Sequence, residues 1–185
     1  PGAFARQMFF LKCLGYTGLS MRELEPYLRG ERKGRVVGIT FDDGYLDNYV
    51  HAYPILQKFS LHAVLFVVTG WIGDGPARLH VGMQAPPPDC PDHRGCMSEI
   101  EADRKDKVML RWSEIELMQQ AGAFEFHSHT HSHVRWDKKY ADPGQRIAAL
   151  STDLLDSRAT LTRHLGSYQP QLCWPWGYYE PAYVD

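Results

Sequence analysis

Apolar positions along this chain follow two rhythms that alternate, a helical spacing and short continuous runs. Ala3 to Leu14 carries apolar residues at helical spacing and stops at Gly15, and Ser20 with Glu23 stands in capping-box register ahead of a second helix. Val36 to Phe41 then reads as a buried strand that ends at Asp42 and Asp43 and turns at Gly44. Leu46 to Phe59 predicts a helix that Pro54 kinks, and "HAVLFVVT", 62–69, is a second β-rich run, which completes one βαβ unit. Ser113 and Glu116 suggest another capping box for a helix that reaches Gln120 or Ala121 and ends at Gly122, before a short strand "AFEFH", 123–127. Pro143 to Leu165 is the longest helical pattern; Gly166 closes it, and a strand "QLCW", 171–174, follows. Alternation of this kind predicts a largely parallel sheet or barrel whose strand ends share one face.

Residues 73–108 break the rhythm. They are rich in Gly, Pro and charge, include "APPPDCPDHRGC", and lack clear periodicity, so a lid-like insertion within a single domain of 1–185 is expected, with a disordered surface excursion as the alternative. With 44% apolar residues, the 185-residue chain can bury a sizeable core. Twenty basic residues against 22 acidic ones give a net charge of -2, without the basic excess that phosphate-backbone binding needs, and no nucleic-acid partner is expected. The longest uninterrupted apolar run, Ala63 to Val68, is far short of the roughly 20 residues that span a bilayer, so no transmembrane segment is expected. "PGAFARQMFFLKCLG" has neither a basic leader nor a small-residue cleavage site and shows no signal peptide. It also lacks an initiating Met, which leaves the compartment open between cytoplasm and cell envelope. Cys13 and Cys173 read as small buried residues. Cys90 and Cys96 have three readings: a small disulfide loop, a metal site with His93, or two free thiols.

Three polar or aromatic clusters each follow a strand: "DDG" after Phe41, "HSHTHSH" after Phe126 and "WPWGYY" after Cys173. In barrels of this class the loops at the C-terminal strand ends build the site. Two adjacent carboxylates repel each other unless positive charge lies between them. Histidines at 127, 129, 131 and 133 can supply a cation: on a helical turn His129 pairs with His133, or His127 with His131, whereas an extended segment would put all four on one face. Two imidazoles and one carboxylate give a divalent ion three protein ligands and leave a position open, the layout of a catalytic site. One aspartate then ligates and the other is free to act as a base. Gly44 comes too early for an EF-hand, and P-loop, dinucleotide and nucleophile-elbow motifs are absent from the sequence.

"TFDDG", "SHTHSH" with its S-H-T-x-x-H register, and a Pro-aromatic-Gly turn, in that order, resemble the first three motifs of the polysaccharide deacetylases of the NodB homology type, carbohydrate esterase family four. The resemblance covers about residues 36–185. It implies an α/β fold, a distorted (β/α) barrel of the NodB type, and a metal-dependent hydrolase that removes N-acetyl groups from N-acetylhexosamine units of a polysaccharide, oligosaccharide or lipid-linked sugar. Residue by residue it implies Asp42 as the catalytic base, Asp43, His129 and His133 as metal ligands, and the backbone N–H of Trp176, in a turn shaped by Pro175 and Gly177, beside the reacting oxygen. One divalent ion is expected, zinc in the first place, with cobalt or nickel as alternatives.

The chain departs from the family pattern in three ways. Cys173 aligns where many members carry an arginine that pairs with the base. A Leu-x-x-His motif that supplies a proton donor would follow the third motif and is not reached by Asp185, while "LTRH", 161–164, precedes that motif and sits on a helix. The barrel is therefore expected to be incomplete at the C-terminus, with His127 and His131 as alternative donors. Trp174, Trp176, Tyr178 and Tyr179 offer stacking faces for sugar rings, although at least two are expected to pack in the interior. Two readings outside catalysis stand beside this one: a carbohydrate-binding protein that retains the metal site, and a purely structural metal site.

Overall fold

The computed structural model describes residues 1–166 and 171–184. Its elements run α1 (Gly2–Cys13), β1 (Thr17–Gly18), α2 (Met21–Leu28), β2 (Val36–Val37), β3 (Thr40–Asp43), α3 (Tyr53–Phe59), β4 (Ala63–Val67), α4 (His93–Glu101), α5 (Trp112–Gln120), β5 (Phe124–Ser128), α6 (Trp136–Lys139) and α7 (Pro143–Leu165). β3, β4 and β5 form one parallel sheet in that order, and β1 with β2 forms a separate parallel pair. Both sheets are open. All five residues of β4 are buried, as a parallel strand covered on both faces requires. Leu56 from α3, Ile115 and Met118 from α5, and Leu161 from α7 join Leu65, Val67, Phe124 and Phe126 in one core. Parallel pairing brings the C-terminal ends of β3, β4 and β5 together, and the site lies there.

Local chemistry explains the helix ends. Ser20 and Glu23 form the reciprocal box ahead of α2, with the Glu23 carboxylate accepting the Ser20 N–H at 3.0 Å and the Ser20 hydroxyl accepting the Glu23 N–H at 3.3 Å. α7 starts and stops where the pattern put it: the Asp142 carboxylate accepts the Gln145 N–H at 2.8 Å, Pro143 opens the first turn, and Gly166 caps the end at φ 87°.

Several elements differ from the sequence reading. The expected strand 36–41 splits into β2 and β3 because its halves pair with different partners, β1 and β4. The expected kinked helix 46–59 is a π-helical turn, Asn48–Ala52, followed by α3, and Pro54 occupies the first turn of α3, where its missing N–H costs nothing. α5 starts at Trp112, not after Ser113. Glu114 accepts the Arg111 N–H at 2.8 Å, and the Ser113 hydroxyl donates instead to the Gly75 carbonyl at 2.8 Å. The "QLCW" strand reduces to a single bridge from Leu172 to Ser128. Cys13 is exposed, not buried, and all four cysteines are free thiols. Cys90 and Cys96 belong to no metal-competent cluster among the described residues.

The 73–108 insertion is folded, contrary to its lack of periodicity. It contains α4 and a 3-10 turn at Lys105–Lys107, and Cys96 is buried with Val108 and Met109 against Tyr45, Trp71 and Ile100. Its strongest tie is a buried ion pair. Glu114 is fully buried, and Arg78 grips it through Nε and a terminal nitrogen, each at 2.7 Å, while also donating to the Met109 carbonyl at 2.7 Å. Removing only one partner of such a pair strands a charge, whereas replacing both with apolar groups does not. Arg78→Ala is therefore expected to destabilise by about 3–5 kcal/mol in chemical denaturation, and Arg78→Met with Glu114→Leu to recover most of that loss.

Candidate active site

In an ordinary strand, neighbouring side chains face opposite sides, so Asp42 and Asp43 should point apart. The backbone prevents this. Asp43 has φ 69° and the Gly44 N–H bonds the Asp42 carbonyl at 2.8 Å, a tight three-residue turn centred on Asp43. Both carboxylates consequently line one cavity of about 290 Å³, together with Tyr45, Trp71, His129, His133 and Trp176.

β5 delivers the imidazoles. The His129 N–H bonds the Val67 carbonyl at 2.9 Å, and its Nδ1 lies 2.8 Å from the Cys173 carbonyl, an atom that can only accept. Nδ1 therefore carries the proton, and the Nε2 lone pair is left facing Asp43 Oδ1 at 3.5 Å. His133 Nε2 lies at the same 3.5 Å from that oxygen. Neither contact is a hydrogen bond, and Asp43 Oδ1 is buried with no hydrogen-bond partner among the described residues. Two ligands held about 2.1 Å from a tetrahedral ion stand about 3.4 Å apart, so these distances suit a shared divalent cation. The donor set of one carboxylate and two imidazoles suits zinc, with cobalt and nickel close behind.

The histidine loop is neither the helical turn nor the extended segment that its spacing allowed. Thr130 and His133 take positive φ, 68° and 54°, and the His133 N–H bonds the Thr130 hydroxyl at 3.1 Å. This reversal separates the four imidazoles. His127 lies within β5, where its Nδ1 accepts the Gln171 N–H at 3.0 Å and its Nε2 lies 3.6 Å from Glu125. His131 is held through Nδ1 by the Thr69 hydroxyl at 2.9 Å. Neither lines the cavity. The "LTRH" histidine, His164, is also remote: it stacks on Trp112 at 4.0 Å.

A buried frame holds the loop. Asp153 of α7, 4% exposed, accepts the N–H groups of His131 and Ser132 at 3.1 and 3.0 Å and the Ser132 hydroxyl at 2.5 Å. The Ser128 hydroxyl lies 2.8 Å from that of Ser157 and accepts the Thr130 N–H at 3.1 Å. The Gly70 N–H reaches the His131 carbonyl at 2.8 Å, and a Cβ there would stand 2.6 Å from that oxygen, so only glycine permits the approach.

The third cluster closes the site. Trp176 at φ 56° and Gly177 at φ 64° form a tight turn in which the Tyr178 N–H bonds the Pro175 carbonyl at 3.1 Å, a geometry that needs two left-handed residues. The Trp176 N–H donates to none of the described residues. Its indole packs 4.2 Å from the His133 ring and is 59% exposed, as Tyr179 is 54% exposed, whereas Trp174 and Tyr178 are half-buried.

Residues 29–185 match the family model for polysaccharide deacetylase. The chain belongs to the polysaccharide deacetylase family. IcaB from Ammonifex degensii superimposes with a TM-score of 0.72 at 26% identity, over 98% of this chain and 69% of that one. The Streptococcus pyogenes deacetylase PplD in complex with acetate shares the fold, with a TM-score of 0.70 at 24% identity over 98% and 65% of the two chains. A poly-β-1,6-N-acetyl-D-glucosamine N-deacetylase of Staphylococcus aureus strain MRSA252 is 27% identical over 177 residues, 94% of this chain and 52% of the relative. The chain thus spans about half the length of that curated relative. The open sheets agree with a distorted, incomplete barrel of the NodB type.

Relative to the arginine expected from the family pattern, this member of the family places the Cys173 side chain within 4.8 Å of Asp42 and His129 donor atoms. Burial, reinforced by the negative charge of Asp42, pushes the Cys173 thiol up to about 11, so it remains a neutral S–H group there. Burial also raises the Asp43 carboxyl above its usual range, against the opposing pull of His129 and His93. Tyr45 and Trp71 complete the wall, and sequence reasoning missed both. Their signal was position, since each closely follows a strand end. Asp153 left no signal on its helix.

Desolvation, then the neighbouring His129, lowers His133 to about 4 from an ordinary 6.5. The folded state resists a proton that the unfolded chain accepts, so the metal-free protein has the full contribution above pH about 6.5 and loses it as pH falls towards about 4. Urea denaturation across that window is expected to show falling stability, and His133→Gln to flatten the dependence.

Proposed function

We propose that this chain is a metal-dependent N-deacetylase acting on N-acetylhexosamine units of a polysaccharide, oligosaccharide or lipid-linked sugar. The observation that carries the reading is the buried Asp43 Oδ1, without a hydrogen-bond partner among the described residues and faced by two imidazole nitrogens at 3.5 Å. The S. aureus relative, named as a poly-β-1,6-N-acetyl-D-glucosamine N-deacetylase, supports the substrate class.

Asp43, His129 and His133 would hold one divalent ion, zinc in the first place. Such an ion, when bound, acidifies water and polarises a carbonyl, which an amide needs because it is a poor electrophile. Asp42, exposed in the same cavity and outside the Asp43–His129–His133 set, takes the proton from the attacking water. The Trp176 N–H, which has no acceptor among the described residues, donates to the substrate oxygen as negative charge builds on it, a contact whose loss typically costs around 3 kcal/mol in the transition state. The exposed faces of Trp176 and Tyr179 offer stacking surface to sugar rings. Cys173 fixes the tautomer of His129 through its carbonyl and puts its thiol beside Asp42. His127 and His131 are engaged elsewhere and are not the proton donor in this scheme.

The test is acetate release from an N-acetylglucosamine oligomer by the zinc-loaded full-length gene product. Asp42→Asn is expected to lower kcat by about 10²- to 10⁴-fold while zinc content stays unchanged. Oligomer binding with no acetate released by the wild-type protein would contradict the enzymatic reading and favour a carbohydrate-binding one.

A further inference from the structure

One wall of the cleft comes from the 73–108 insertion. α4 opens at His93, with the Asp92 carboxylate accepting the Gly95 N–H at 2.9 Å, and His93 and Met97, one helical turn apart, both line the cavity that holds Asp43, His133 and Trp176. This wall is fixed in place. Cys96, on the same helix, is buried with Val108 and Met109, and Tyr45 and Trp71 pack on that small core from the side of the cleft. The Tyr45 hydroxyl lies 3.3 Å from His93 Nδ1 and 3.5 Å from Met97 Sδ, and the Tyr45 and His93 rings meet edge to face at 5.9 Å. These contacts occupy Nδ1 and set the ring plane. Nε2 has no partner among the described residues.

An imidazole with one nitrogen engaged and the other free towards the cleft can donate to or accept from a hydroxyl or an amide. Beside it, the Met97 thioether adapts to the uneven apolar face of a sugar ring. We propose that His93 is a substrate-binding residue of the cleft, its Nε2 hydrogen-bonding a polar group of a bound N-acetylated amino sugar while Met97 and Tyr45 pack against the ring. This rests on the deacetylase reading above and adds to it that specificity for the sugar is set by the insertion as well as by the strand-end motifs.

The experiment compares wild-type, His93→Ala and His93→Gln full-length protein, zinc-loaded, on an N-acetylglucosamine oligomer, and measures zinc affinity separately by chelator competition. A single hydrogen bond made equally in ground and transition state acts on KM. His93→Ala is expected to raise KM roughly five- to tenfold, with kcat within twofold and zinc affinity unchanged, and His93→Gln to recover part of the loss. An unchanged KM, a fall confined to kcat, or a KM rise matched by a loss of zinc affinity would overturn the proposal. If the wild-type protein is active and His93→Ala matches it, this inference alone fails; if the wild-type releases no acetate, the deacetylase reading fails and takes this one with it.

Discussion

A carboxylate oxygen that is buried, lacks a hydrogen-bond donor among the described residues and faces two imidazole nitrogens at 3.5 Å costs stability unless positive charge sits among the three groups. The upward shift of the Asp43 carboxyl and the downward shift of His133 are two expressions of that cost, since both side chains are driven towards neutrality by the absence of water around them. A divalent cation would reverse the first and reinforce the second, since it favours both the charged carboxylate and the neutral imidazole as ligands. The remaining features of the cleft follow from keeping these three groups convergent: a strand end that turns before its second aspartate, a histidine fixed in one tautomer by a carbonyl, and a loop pinned from behind.

That convergence is held by backbone strain. Among the described residues, Asp43, Thr130, His133 and Trp176 all have positive φ without being glycine, and all four belong to the three strand-end clusters. Such conformations cost of order 1–3 kcal/mol each and persist only where surrounding contacts over-determine them. Here the surroundings are visible. Asp153 and Ser157 of α7 hold the histidine loop through buried hydrogen bonds, and the Ser128–Leu172 bridge sets the third cluster beside β5. α7 is thus part of the site as well as part of the core, because Leu161 on the same helix packs among the core residues. A helix tied to both transmits the rigidity of the interior to the imidazoles.

Periodicity alone located α7 to the residue and most of β4 and β5, because a long amphipathic run and a short buried run leave little ambiguity. Ends decided by distant partners were not legible. The box expected at Ser113 and Glu116 gives way to Glu114 accepting the Arg111 N–H, which starts α5 at Trp112, and Glu114 is placed there by its pairing with the distant Arg78. The 171–174 run had strand composition but finds only one bridge. The same holds at the site. Asp42, Asp43, His129, His133 and Trp176 stood out because each cluster follows a strand, and the choice among four histidines came from the family register, not from spacing, since the loop adopts neither conformation that spacing suggested. Contributions that depend on tertiary approach, such as the Cys173 carbonyl, the Asp153 carboxylate and the α4 wall, have no local signature.

Chemistry in this cleft depends most directly on whether one divalent cation occupies the point between Asp43, His129 and His133. Anomalous diffraction at the zinc edge from crystals of zinc-loaded protein tests this in one experiment. The prediction is a single strong peak within about 2.0–2.2 Å of Asp43 Oδ1 and of Nε2 of both histidines. A zinc-loaded crystal with no peak there, or with zinc bound only at other side chains, would contradict it.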